Sequence, residues 1–510
     1  WSGALRHEFD AVVSQKDLWE TYLPAFEALV TEARVEGIMG AYNRTNGEPC
    51  CAHPYLIDEV LRKQWGFKGY FVSDCGAIRD FYGGHGLVET AEEAAAMGIN
   101  GGCNLNCGGT YASLVTAIEQ GLTTEALIDE NLRALLPTRF RLGLFDPAGS
   151  MPYDSMGPQW IRHPAHLELS REVATRSVVL LKNTAATLPL SKNISSIYVT
   201  GPTATHAQVL LANYYGVSPE LTTLLEGIVG KAGPSTSVRY SQGALLDEEN
   251  RNPIDWYSGT ASRSDVTIAC VGISQLIEGE EGESIASRHK GDRQDIRLPK
   301  NQIEFLKKIR AKAKKLVIVV TGGSAIAMPD VYEMADALLF VWYPGEKGGE
   351  AVGDILFGDA VPSGRLPVTF VKSIEDLPPY EDYALAGRTY RYLEKEPLFP
   401  FGFGLSYTSF RYSDLQLSAE KVKKGNSLEA KFNLMNTGKV EAEEVVQLYL
   451  TDREASNDQP LQALKAFKRV FLSPGERQEV SFTITPEMME LVTEEGRRVI
   501  ERGAFKVYIS

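Results

Sequence analysis

The sequence predicts a multidomain α/β protein with a β-sandwich from residue 408 onward. Three observations carry this. The first is length, since 510 residues hold about two to four domains. The second is that short apolar runs alternate with helical stretches over 1–150 and again over 186–407, the pattern of parallel βα units. The third is a change at residue 408 to alternating polar and apolar positions separated by turn signals.

Taken in order, 11–34 reads as an amphipathic helical stretch, 35–42 as a strand, 53–63 as a helix and 70–73 as a strand; 89–97 and 111–120 are helical. A complete (β/α)8 barrel takes about 250 residues. Residues 1–150 are therefore expected to be the C-terminal part of such a barrel, with a further portion expected before Trp1. Residues 151–185 read as a linker and a helix running into Val178-Val179-Leu180-Leu181.

Residues 186–407 read as an α/β sandwich domain. Its strands, 197–200, 266–271, 316–321 and 337–342, are short and β-branched or apolar, as buried parallel strands are. Helices 301–314 and 349–357 intervene. The glycines near 272, 322–323 and 348–349 are expected to form tight turns at strand ends, because Gly322-Gly323-Ser324 lacks the Lys and spacing of a phosphate loop. In 408–510, runs 429–434 and 445–450 alternate as half-buried strands do. Thr437-Gly438 and Ser473-Pro474-Gly475 supply turns, and the set suggests a sandwich.

A net charge of −14 argues against nucleic acid, which needs a basic surface. No apolar run reaches the ~18 residues of a membrane span. Six cysteines are too few for a disulfide scaffold. Cys103-x-x-x-Cys107 has no further ligand at zinc spacing, so no metal and no cofactor are expected. Buried free thiols are the expectation, with a disulfide at Cys75 left open. The chain opens Trp1-Ser2-Gly3 without an initiator Met or a leader, so compartment and homo-oligomerisation also stay open.

The most informative stretch is Gly69-Tyr70-Phe71-Val72-Ser73-Asp74-Cys75-Gly76-Ala77. A carboxylate at the end of a barrel strand stands where catalytic groups stand. It can act as a nucleophile, base or metal ligand, or it can simply cap the next helix. Upstream lie Gly40-Ala41-Tyr42-Asn43-Arg44 and Gln64-Trp65-Gly66-Phe67-Lys68-Gly69. Downstream lie Leu180-Leu181-Lys182-Asn183, a Glu-rich loop at 278–283, Gly291-Asp292-Arg293, Trp342-Tyr343-Pro344-Gly345, Ser363-Gly364-Arg365-Leu366-Pro367 and Phe401-Gly402-Phe403-Gly404-Leu405-Ser406-Tyr407. This order resembles glycoside hydrolase family 3 over nearly the whole chain.

The resemblance implies that Asp74 is the catalytic nucleophile, that a Glu of the loop after strand 266–271 is the acid/base, and that 408–510 is fibronectin type III-like. Glycoside hydrolysis usually takes two such carboxyl groups. Matching Ile277-Glu278-Gly279-Glu280 places the acid/base on Glu280, with Glu281 the alternative because a one-residue slip is easy; Glu278 and Glu283 rank lower. By composition alone the loop would be a solvated acidic segment. Crowded carboxylates can raise one another's pKa, which suits a proton donor.

The resemblance also implies sugar-contacting roles for Tyr42, Arg6 and Tyr215. The Tyr42 hydroxyl is expected to hydrogen-bond the nucleophile. Earlier sugar ligands of the family would precede Trp1. Cys75 stands where glucose-specific members often have Trp, and Asp74-Cys75-Gly76-Ala77 with Leu105-Asn106-Cys107-Gly108 resembles the β-xylosidase branch. The expected activity is retaining exo-hydrolysis of β-1,4-xylo-oligosaccharides. A β-glucosidase, a bifunctional xylosidase/arabinofuranosidase and a non-catalytic carbohydrate-binding relative are the alternatives. The expected partner is a small oligosaccharide.

Overall fold

A computed structural model describes residues 4–252, 254–280, 284–287 and 292–510. The chain divides into two units. One runs through Ile161 and takes in Pro379–Leu385 and Leu491–Val499; the other comprises Arg162–Pro378, Ala386–Glu490 and Ile500–Ser510. Among the described residues no helix is long and apolar enough to cross a membrane.

In the first unit, strand Gly37–Gly40 lies parallel to Tyr70–Ser73, with Gly40 opposite Ser73. A parallel bridge joins Val72 to Leu105. Three successive extended segments thus run side by side in one direction, each followed by helix, as in a βα barrel. Helix Pro54–Gln64 covers them, its Ile57, Val60 and Leu61 buried at the three- and four-residue spacing of one face. Helix Ala91–Asn100 starts from a capping box, Thr90 with Glu93. Phe71, Ile78, Phe81 and Ala94 join the core beneath.

The helical stretch expected over 11–34 is interrupted. Asp10–Ala11 pairs with Arg44–Thr45, Ser14 caps a new start, and Pro24 opens helix Pro24–Thr31. Proline lacks the N–H that would continue a helix but suits its first turn. Helix Glu125–Arg141 is not foreshadowed in the sequence, because Pro137 sits inside it.

In the second unit a six-stranded sheet runs in spatial order 179–183, 337–340, 316–321, 266–272, 196–200, 237–241. Every pairing is parallel except 179–183 against 337–340. Strands Val266–Gly272 and Leu316–Thr321 are buried at every position, as their apolar runs predict. From strand 196–200 the chain adds 237–241 on one side and then 266–272 on the other. The carboxyl ends of 196–200 and 266–272 therefore flank a topological switch point, where open α/β sheets bind ligands.

Gly272 does turn the chain at a strand end, with φ of 140°. Gly348 and Gly349 do not: they open helix Gly348–Phe357, and Gly349 lets helix Leu224–Lys231 pack directly on its backbone.

The C-terminal part is a sandwich of two three-stranded antiparallel sheets, 410–417/428–436/477–484 and 463–472/442–452/505–509. Ala430, Phe432 and Leu434 alternate into its core. Strand Ala442–Asp452 departs from the half-buried expectation and is buried without a break over 444–450. Its other face is also covered. Glu444 pairs with Arg365 at 2.7 Å, and the Gln447 amide donates to the Gly402 carbonyl at 3.1 Å.

Candidate active site

The first group of candidate residues is built on strand ends of the first unit. Asp74 follows strand Tyr70–Ser73, and its N–H donates to the Gly40 carbonyl at 2.9 Å, extending the parallel pairing by one bond. Ser73 points inward and is fully buried, and its Oγ accepts from Cys107 N–H at 3.0 Å and Asn106 Nδ2 at 3.1 Å. The Asp74 side chain, on the other side of the strand, is part-exposed; its Oδ1 accepts the Cys75 N–H at 2.7 Å. Asp74 is thus not a cap of helix Asp80–Gly83, which begins several residues later.

Cys75 is disulfide-bonded to Cys107, with Cα atoms 4.3 Å apart. The expectation of free thiols is therefore corrected for these two. The bond forms because parallel strands put the residues after Ser73 and after Leu105 side by side. Cys50, Cys51, Cys103 and Cys270 are free. Burial pushes the Cys103 thiol up to about 11 and that of Cys270 to about 12, so neither supplies a thiolate at neutral pH.

Tyr42 stands beyond the end of strand Gly37–Gly40, beside Asp74. Its hydroxyl donates to the Cys75 carbonyl at 3.0 Å, in place of the expected bond to the Asp74 carboxylate. The tyrosine holds the peptide that follows Asp74. The Arg6 guanidinium lies 4.8 Å above the Tyr42 ring, a cation–π distance. His7 meets the same ring edge-on at 4.9 Å and bonds Asp80 through Nδ1 at 2.7 Å. Arg6, Tyr42 and Asp74 thus share one strand-end surface, with His7 and Asp80 as additions that no sequence motif marks.

The second group of candidate residues lies, in the second unit, at the switch point of the six-stranded sheet. Ser274 caps the turn of helix Gln275–Glu278, and Gly279 and Glu280 follow. Glu280 Oε2 accepts a hydrogen bond from the Tyr214 hydroxyl, and its carbonyl accepts from Ser284 N–H at 3.1 Å and Ser284 Oγ at 2.9 Å. Tyr214, on the loop after strand 196–200, has φ of 58°, in the left-handed region uncommon for a residue other than glycine. Its neighbour Tyr215 is 48% exposed. The loop 213–216 therefore does reach the acidic loop, but it is Tyr214 that meets Glu280; a Tyr-Tyr pair offers no local signal to choose between them. Glu281 and Glu283 lie outside the described residues.

Glu278 is engaged elsewhere. Its carboxylate accepts from Gly323 N–H and the Tyr343 hydroxyl, both at 2.6 Å, and pairs with Arg293 at 3.3 Å. A carboxylate so occupied ties the start of the acidic loop to the strand ends. Among the described residues no cluster of three His, Cys, Asp or Glu side chains is placed to hold a metal ion.

Comparison with known proteins bears on both groups. Residues 6–137 match the glycosyl hydrolase family 3 N terminal domain, 178–407 its C-terminal domain, and 444–510 a fibronectin type III-like domain. The chain is 33% identical to a periplasmic beta-glucosidase of Salmonella typhimurium, over 98% of this chain and 69% of that protein. It is 30% identical to a xylan 1,4-beta-xylosidase of Xylanibacter ruminicola, over 94% and 72%. A solved GH3 exo-beta-xylosidase, XlnD in complex with a xylobiose aziridine probe, superposes with a TM-score of 0.89 at 27% identity, covering 99% of this chain and 68% of that one. A resemblance that spans both α/β parts and the sandwich, at such identity and coverage, has one reading: the chain belongs to glycoside hydrolase family 3.

Proposed function

We propose that this glycoside hydrolase is a retaining, exo-acting β-xylosidase that releases xylose from the non-reducing end of β-1,4-xylo-oligosaccharides. Asp74 attacks the anomeric carbon while Glu280 protonates the departing glycosidic oxygen. Glu280 then takes a proton from water, and the resulting hydroxide equivalent hydrolyses the glycosyl–Asp74 ester. Retention needs the two carboxyl groups about 5–5.5 Å apart when substrate is bound. Arg6, Tyr42 and Tyr215 are proposed as sugar contacts, and Tyr214 as the residue that orients Glu280.

The observation that carries the xylose reading is the residue after the nucleophile. Cys75, bonded to Cys107, stands where glucose-specific members often have Trp. Relatives named as glucosidase and as xylosidase match at 33% and 30% identity, so similarity alone does not choose between them. The Salmonella relative keeps a β-glucosidase as the second reading, and activity on α-L-arabinofuranosides is the expected side reaction.

One hydroxymethyl group fitting or clashing is worth ~1–3 kcal/mol. The kcat/KM on an aryl β-xyloside should therefore exceed that on the matching β-glucoside by roughly ten- to a few hundred-fold. A preference for the glucoside would overturn the xylose reading alone. Glu280→Ala should slow poor leaving groups far more than activated ones, with azide restoring the latter as a β-glycosyl azide. The same pattern from Glu281→Ala instead would shift the acid/base by one residue.

A further inference from the structure

We propose that Glu278 and Arg293 are positioning residues that clamp the neck of the acidic loop and so aim Glu280. The proposal rests on Glu280 being the acid/base. Glu278 and Arg293 stand on either side of the acidic loop in sequence, and these two side chains pair at 3.3 Å while only 10% and 9% exposed. Both also hold one further residue: Ser324 Oγ donates to Glu278 Oε2 at 2.5 Å and accepts from Arg293 Nη2 at 2.7 Å. Arg293 also donates to the Ala325 carbonyl at 3.2 Å.

The clamp is bolted to the sheet. Gly323 and Ser324 follow strand Leu316–Thr321, and Tyr343 follows strand Ala337–Phe340, so Glu278 is tied to the carboxyl ends of two adjacent parallel strands. Gly323 lies close against the clamp: a Cβ there would stand 2.8 Å from the Tyr343 ring and 3.0 Å from Glu278 Oε1. A buried carboxylate is costly unless such partners surround it. Burial first, and the Glu278 charge second, push the Tyr343 hydroxyl's pKa up, which keeps it a donor.

The link from clamp to proton donor is short. Glu280 is two residues beyond Glu278, and the Gly279 between them is closely packed: a Cβ there would stand 2.1 Å from the Gln275 carbonyl and 3.0 Å from Asn213 Oδ1. Over so short a tether the placement of Glu278 bears directly on that of Glu280. A displacement of about 1 Å in a catalytic group can cost ~100-fold in rate.

The test measures kcat/KM for aryl β-glycosides with poor and with activated leaving groups, in the full chain. Glu278→Gln should cost the poor leaving group about ten- to a hundred-fold and the activated one much less. It should also shift the basic limb of the pH profile. Tyr343→Phe, which removes one hydroxyl only, should change the ratio in the same direction and serves where Glu278→Gln folds poorly. Equal losses on both substrates, or lowered thermal stability with an unchanged ratio, would overturn the clamp. Glu280→Ala is the reference. If it shows leaving-group selectivity and the clamp variants do not, only the clamp fails. If it shows none, the assignment of Glu280 fails and the clamp with it.

Discussion

Asp74 owes its place to what its neighbours do. Ser73 turns inward to bind the next strand's end, Cys75 is held by a disulfide and by Tyr42, and the carboxylate between them is left part-exposed. One residue's shift in strand register would exchange Ser73 and Asp74 between core and surface. Asp74→Asn leaves this frame intact, since asparagine has the same shape and can still accept the Cys75 N–H. The expected outcome is a loss of turnover by several orders of magnitude with an unchanged melting temperature. A variant retaining more than about a tenth of wild-type kcat, a barrier change under ~1.4 kcal/mol, would remove Asp74 from the nucleophile's role.

At the scale of elements, helices Leu224–Lys231 and Gly348–Phe357 of the second unit meet backbone to backbone at glycines. A Cβ on Gly349 would stand 2.0 Å from the Thr223 carbonyl, and one on Gly227 would stand 1.7 Å from the Gly349 carbonyl. Backbone atoms cannot swing aside as a flexible side chain can. Gly349→Ala should therefore destabilise by about 1–3 kcal/mol or more, the cost of overpacking. Gly230, in the first of these helices, has open space around its Cβ position. Gly230→Ala should stabilise by up to ~1 kcal/mol through helix propensity. Urea midpoints of the two variants check this, and a neutral Gly349→Ala would mean that the helices are free to separate.

At the scale of the whole molecule, the two units should differ in acid tolerance. His53 caps helix Pro54–Gln64 by accepting the Leu56 N–H at Nδ1, with Nε2 3.1 Å from the Thr45 carbonyl, so the neutral ring is the one that fits. Burial lowers its pKa, and burial likewise lowers that of His85. Both rings are neutral in the fold and protonate first in the unfolded chain. The stability they contribute is complete above about 6.5, the ordinary histidine value, and is lost as pH falls through it. Each adds a slope of at most ~1.4 kcal/mol per pH unit. In the second unit, partners lower the pKa of Asp265 and Asp359, hydrogen bonds foremost. Their contribution is lost only as pH falls below about 4. Hydrogen exchange at pH 7.5 and 5.5 should show the first unit losing protection more than the second. His53→Asn keeps a good cap and should reduce the difference. Equal loss in both units would refute this account.

Local patterning was enough for the elements whose signals are chemical and short-range. The apolar strands 266–272 and 316–321, the alternation of 429–434, and the Ser-Asp strand end at 73–74 are all legible because period and side-chain type decide them. The acidic loop was legible as an acidic segment after strand 266–272 but not in how its carboxylates are bound. Glu278 and Glu280 are alike in sequence, and only the donors supplied by Gly323, Ser324, Tyr343 and Arg293 make one an anchor. The same holds for Cys75 and Cys107, joined because two parallel strands end side by side, and for Gly349, which reads as a turn glycine until a second helix is laid against it. Periodicity and composition describe a residue's own segment. Which carboxylate is bound, which thiol is bridged and which glycine is crowded depend on atoms tens to hundreds of residues away, and only the folded chain brings those atoms within bonding distance.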